Sequence, residues 1–131
     1  MLLVETKINK SNQHGLGCFA TKLIKVGTKI WEFDPRIDFR YSEDDLKNYP
    51  DSFAKIVRFY GFTEKNEGIK YYILCGDHAR HINHSDDPNL SPNIKENCDY
   101  AKRDIFPGEE LTANYYEYYV DPEDGLNKHI G

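Results

Sequence analysis

The sequence predicts a mainly β fold of short sheets with a small helical insert. Three observations carry this reading. Short β-prone runs cut by turn residues recur along the chain, whereas only one stretch, residues 42–60, spaces its apolar side chains as a helix does. Aromatic residues make up 14% of the chain and include ten tyrosines, so the core must use rings whose hydroxyls need polar partners or line a cleft. With 131 residues the chain has the length of one domain, expected over 1–131 with a C-terminal tail from about residue 116.

Taken in order, residues 2–8 form the first β-prone run, and Gly15-Leu16-Gly17 makes a turn before a buried stub at Cys18-Phe19-Ala20. A further run over residues 28–33 is entered through Gly27, and together these suggest a β-meander. Ser42-Glu43-Asp44-Asp45 has the form of a capping box with Asp in place of the usual Glu. Leu46, Tyr49, Phe53, Ile56, Val57 and Tyr60 follow at helical spacing, and Pro50 divides the stretch into two short helices because it lacks an amide hydrogen. Residues 71–75 read as a buried strand ended by Gly76. Residues 77–97 are dense in His, Asn, Ser, Asp and Pro, too polar for core, and mark the place where function is expected. Two last strands, residues 100–105 and 110–115, are joined across Phe106-Pro107-Gly108.

The formal net charge of −5 and a pI near 5.5 argue against binding nucleic acid through its phosphates and favour a basic partner. Glu5 interrupts the N-terminal apolar run and no 18-residue apolar span follows, so neither a signal peptide nor a membrane span is expected. A soluble intracellular protein is the expectation, with cytoplasm and nucleus both open. Cys18, Cys75 and Cys98 form no CxxC pair and read as reduced, buried thiols.

Two constellations have alternative readings. His78, His81 and His84, with Asp77, Asp86 and Asp87 nearby, invite a metal site. Steps of three residues rotate the imidazoles about 120° round a helix in all, so they converge poorly on one ion, and no metal is expected. Gly15-Leu16-Gly17 lacks the third glycine of a dinucleotide fingerprint and by itself says only that backbone can approach a neighbour closely.

The longer motifs are more specific. G-x-G-x-F-A (Gly15 to Ala20), R-x-I-N-H-S-x-x-P-N (Arg80 to Asn89), A-x-R-D-I-x-x-G-E-E-L (Ala101 to Leu111) and a closing tyrosine occur in that order. In this combination the chain resembles the SET-domain lysine methyltransferases over residues from about 5 to 119. The resemblance implies a β fold in which the Asn83-His84-Ser85 segment and the chain around the last strand form a pseudoknot, an exception to unthreaded connections. It also implies S-adenosylmethionine on one face and a target lysine entering a narrow channel from the other. Carried onto this sequence, Gly15, Leu16 and Gly17 bring backbone to the cofactor. Asn83 and His84 contact its amino and adenine groups, and Tyr115 is the active-site tyrosine, itself beside the cofactor. One of Tyr116, Tyr118 and Tyr119 covers the adenine, with Tyr119 the choice. Phe33 stands where many members have Tyr after the glutamate of an early strand, which puts it in the substrate channel. Asn114 replaces the Asp that commonly precedes the tyrosine, and Asp86 a cysteine that often follows Asn-His-Ser. No cysteine follows Cys98, so the trailing cysteine zinc module is not expected and the domain is a minimal one, its substrate-side insert reduced to about residues 42–60.

The expected function is therefore methyl transfer from S-adenosylmethionine to a lysine of a basic protein. The alternative is a SET-like binding module that does not turn over. Residues 104–127 carry seven acids and no Lys or Arg, and Asp86 and Asp87 add two more; this is either a solvated face or a means of steering a basic peptide. The oligomeric state is left open, a homodimer included.

Overall fold

A computed structural model describes residues 1–117. Its strands are β1 (Thr6–Lys10), β2 (Leu16–Ala20), β3 (Lys29–Glu32), β4 (Phe39–Ser42), β5 (Phe62–Asn66), β6 (Ile69–Leu74), β7 (Asn83–His84), β8 (Leu90–Asn93), β9 (Cys98–Ala101) and β10 (Thr112–Ala113). Two helices, α1 (Glu43–Leu46) and α2 (Asp51–Tyr60), lie between β4 and β5, and 3-10 turns cover His78–His81 and Tyr115–Glu117. The mainly β class with short sheets and little helix is what the sequence predicts.

The strands form four small sheets: the hairpin β1-β2, the three-stranded sheets β3-β9-β8 and β4-β6-β5, and the parallel pair β7-β10. The parallel pair sets Thr112 against Asn83 and Ala113 against His84. Residues about thirty apart in sequence thus meet side by side, as the pseudoknot reading requires.

Two apolar clusters result. Cys18, Ala20, Ile24, Ile30, Leu90, Ala101, Ile105 and Leu111 fill the space between the first hairpin and the β3-β9-β8 sheet. Leu46, Ala54, Val57, Tyr72 and Leu74 form a second cluster under the helices, with Tyr41, Phe53 and Tyr60 packed on it. The helices start and stop where their sequence says. The Ser42 hydroxyl accepts from the Asp45 amide (3.0 Å) while the Asp45 carboxylate accepts from the Ser42 amide (2.8 Å), a complete capping box. Pro50 sits at the N-cap of α2 and separates it from α1.

Several expectations are corrected. The helical stretch expected at about residues 42–60 is present as α1 and α2, and the sheet β4-β6-β5, not foreseen from the sequence, flanks it over residues 39–74. The β5-β6 hairpin turns through Glu67 (φ 51°) and Gly68 (φ 79°), two left-handed residues whose twist matches that of the strands they join. The first regular strand begins at Thr6, because the Leu2 amide donates to the Asp77 carboxylate (2.8 Å) and Leu2 makes only a single bridge to Trp31. The last two runs do not form a hairpin with each other. β9 ends at Ala101 and pairs with β3 and β8, whereas β10 pairs with β7. Between them Ile105 exchanges backbone hydrogen bonds with Ile24, and the chain turns at Gly108 (φ 86°).

The three cysteines are free and buried. Burial pushes the Cys18 thiol up to about 12 and raises the Cys75 thiol as well. Since the thiolate is the nucleophile, native protein at mildly alkaline pH should leave Cys18 and Cys75 unalkylated by iodoacetamide, and urea should expose both. Rapid labelling of Cys18 in the folded state, read by mass spectrometry, would contradict this burial.

Candidate active site

A cleft of about 810 Å³ opens between the two clusters. One wall comes from the loop after β1 (His14, Gly15, Leu16), from Asn83 and from Tyr115. The opposite wall is the insert, with Phe59 and Tyr60 of α2 and the edge strand β5.

Tyr115 begins the 3-10 turn that follows β10, and its position is fixed at both ends. Its hydroxyl donates to the Ile82 carbonyl oxygen (2.7 Å), and its amide donates to His84 Nδ1 (3.1 Å). Burial pushes the phenol well above its usual range, and the nearby Glu110 carboxylate pushes the same way. The hydroxyl is therefore a protonated donor at neutral pH.

The tautomer of His84 follows from its partners. Nδ1 accepts from the Tyr115 amide, so the ring proton lies on Nε2, which faces Asp86 Oδ1 at 2.8 Å. The ring also packs 5.3 Å from that of Tyr115 and edge-on to Tyr116 at 5.6 Å. His84 lies behind Tyr115 and orients it; it is not among the described residues that line the cleft.

Asn83 is buried, and its amide nitrogen is shared among the His14 carbonyl (2.9 Å), the Leu16 carbonyl (2.9 Å) and Glu110 Oε2 (3.0 Å). At Gly15 no atom stands within 4 Å of the place a Cβ would occupy, so backbone is open to the cleft there. Gly17 has a different task. A Cβ at that position would come within 2.7 Å of Glu110 Oε2, so glycine here admits the carboxylate and does not line the cleft.

Of the predicted site residues, the structure brings Gly15, Leu16, Asn83 and Tyr115 to one cleft. Phe33 lies beyond the end of β3, its ring covered by the Arg40 guanidinium at 4.1 Å, and does not line it. The aromatic group supplied by β3 is Trp31, edge-on to Phe62 at 5.7 Å. Tyr118 and Tyr119 lie outside the described residues. The three histidines face separate partners: His78 Nδ1 meets Thr6 Oγ1 at 2.9 Å, His81 packs against Tyr60, and His84 lies between Asp86 and Tyr115. Among the described residues no group of three His, Cys, Asp or Glu side chains could hold a metal ion.

Sequence reasoning missed Trp31, Ser11 and Glu110. Glu110 stands in a quoted motif, but a glutamate next to another in a Gly-Glu-Glu turn carries no mark of an inward-facing side chain. Ser11 gave no signal at all.

The fold and the site define a class. Residues 15–116 match the family model described as the SET domain. The chain belongs to the SET-domain family. It is 35% identical over 126 residues to the histone-lysine N-methyltransferase trr of Drosophila melanogaster, covering 91% of this chain and 5% of that protein. It thus spans about a twentieth of the length of that relative. Among solved structures, ctPRC2 in an autoinhibited conformation bound to S-adenosylmethionine superposes with a TM-score of 0.67 at 24% identity, over 95% of this chain and 17% of that one. A putative histone methyltransferase of Plasmodium falciparum superposes with a TM-score of 0.58 at 21% identity, over 87% of this chain and 95% of that one.

No helix among the described residues is long and apolar enough to cross a membrane.

Proposed function

We propose that this chain transfers a methyl group from S-adenosylmethionine to the side-chain amine of a lysine in a basic protein. The observation that carries the reading is Tyr115, a protonated, half-buried phenol held between the Ile82 carbonyl and His84 on the wall that also holds Asn83. The cofactor, when bound, supplies a methyl group on a sulfonium. The residues present fit it. The opening at Gly15 lets a ligand reach the backbone, and Asn83 and the carbonyls of His14 and Leu16 supply the neutral polar groups that a zwitterionic amino acid and a purine require.

The chemistry asks for little else from the protein. A free lysine with pKa near 10.4 is neutral only about once in a few thousand at pH 7, and burial beside a cation lowers that pKa. The Tyr115 oxygen can then accept a hydrogen bond from the amine and hold it in line, while backbone carbonyls nearby accept weak C–H hydrogen bonds. No acid-base dyad is needed. Asp86 and Asp87, both 94% exposed at the side chain, lie close by in sequence and carry the sign that attracts a basic substrate. The names of the relatives suggest histones as the first proteins to try.

The test is incubation with labelled S-adenosylmethionine and a panel of basic proteins, core histones included, followed by location of the label. Label on a lysine supports the reading, whereas cofactor binding without transfer to any protein would leave a binding module. Calorimetry should show one cofactor bound per chain without added metal. Asn83→Ala should weaken that binding by about 1 to 3 kcal/mol, through the unsatisfied carbonyls it leaves at His14 and Leu16. An unchanged dissociation constant would remove Asn83 from the cofactor site.

A further inference from the structure

Glu110 is half-buried, and its hydrogen-bond partners are the neutral groups of two separate segments. The Ser11 hydroxyl donates to its carboxylate, at 2.7 Å from Oε1 and 2.8 Å from Oε2, and Asn83 Nδ2 donates to Oε2 at 3.0 Å. The same Ser11 oxygen accepts from the amides of Gln13 (2.8 Å) and His14 (3.3 Å), which bends the chain into the loop that ends at Leu16. The carbonyls of His14 and Leu16 return to Asn83 Nδ2. These contacts close a ring: Glu110 to Ser11, Ser11 to the loop, the loop to Asn83, and Asn83 back to Glu110. Gly17 keeps the way clear for it, since any side chain there would collide with the carboxylate. Every segment of the cofactor wall except Tyr115 is a member of this ring.

We propose that Glu110 is a positioning residue for the cofactor: it sets the loop of residues 11–17 and the Asn83 amide in one fixed arrangement without touching the ligand itself. The assignment rests on the methyltransferase reading above. A carboxylate suits the task because it is acceptor-only and can take hydrogen bonds from both sides, each strengthened by charge. Glutamine cannot replace it. Its oxygen in the place of Oε2 can still accept from both Ser11 and Asn83, but its amide group then stands 2.7 Å from a Ser11 oxygen already committed to two backbone amides, and in the reverse orientation the amide faces the Asn83 donor. One side of the ring must open, and the loop loses its fixed shape.

Glu110→Gln should raise the dissociation constant for S-adenosylmethionine about tenfold, and Ser11→Ala should raise it in the same direction by about three- to tenfold. Because both substitutions open one ring, the double variant should bind little worse than Glu110→Gln alone. The KM for the cofactor should rise with the dissociation constant, while the KM for the protein substrate stays where it was. A purely structural role predicts lower melting temperatures with unchanged affinity in the folded protein. Dissociation constants within about twofold of wild type for both variants, measured by calorimetry well below the melting transition, would overturn the proposal. Should Glu110→Gln fail to fold, Ser11→Ala decides alone. Wild-type protein that binds no S-adenosylmethionine would sink the methyltransferase reading itself, a separate outcome from wild-type binding that the variants leave unaltered.

Discussion

Tyr115→Phe is expected to lower turnover by about ten- to a thousandfold, or roughly 1.4 to 4 kcal/mol in the barrier, while the affinity for S-adenosylmethionine changes little. The substitution keeps the ring, its packing against His84 and the backbone hydrogen bond from residue 115 to His84 Nδ1. It removes one oxygen atom, which donates to the Ile82 carbonyl and is held protonated by its burial. Two consequences can be separated. The loss of a partner for Ile82 destabilises the fold by about 1 kcal/mol and appears as a modest drop in melting temperature. The loss of the acceptor for the amine appears only in the chemical step. Single-turnover rate, cofactor affinity and melting temperature measured on one preparation distinguish them, and a normal rate in the folded fraction would remove Tyr115 from the chemistry.

How far the sequence announced this site depends on what each residue's neighbours are. Asn83, His84 and Tyr115 stood out because an Asn-His-Ser triplet and a closing tyrosine occur in a fixed order with other motifs, and the parallel pairing of β7 with β10 brings them together. The helices were legible from local chemistry alone, since a capping box and a proline act within four residues of themselves. What escaped was decided at long range. Strand β5 reads Phe-Thr-Glu-Lys-Asn, too polar to announce a strand, and it forms because β6 offers it a partner across a two-residue turn. Phe33 and Trp31 are two residues apart, and only the end of β3 and the arrival of Arg40 decide which ring reaches the cleft. Gly17 stands in a G-x-G turn that suggests only an open backbone, and the close approach that a side chain there would block is that of Glu110, 93 residues along the chain, which no local pattern reveals.

Asn89→Ala is expected to be the most destabilising single change in this region, lowering the melting temperature by about 10 °C or more. Asn89 is 1% exposed and joins the polar segment before β8 to the chain entering β10. Its amide group donates to the Glu110 carbonyl (2.7 Å) and to Glu109 Oε2 (3.2 Å), and its side-chain oxygen accepts from the Thr112 amide (2.8 Å). Alanine leaves the half-buried Glu110 carbonyl and the buried Thr112 amide without these partners, and a buried group so stranded costs about 1 to 3 kcal/mol. With a small cavity added, a total near 3 kcal/mol is reasonable, and for a domain of this size each kcal/mol shifts the midpoint by about 3 to 5 °C. Asn89→Asp separates the two bonds. It keeps an acceptor for Thr112 but loses the donor to the Glu110 carbonyl and sets a second carboxylate against Glu109, so it too should destabilise, and more at neutral pH than in mild acid, where protonation relieves the repulsion and restores a donor. Thermal melts followed by circular dichroism at the two pH values check both statements. An Asn89→Ala midpoint within about 2 °C of wild type would mean that the junction between the Asn-His-Ser segment and the last strand is held by apolar packing, Leu90 and Leu111 foremost, and that the buried hydrogen bonds of Asn89 contribute no net stability.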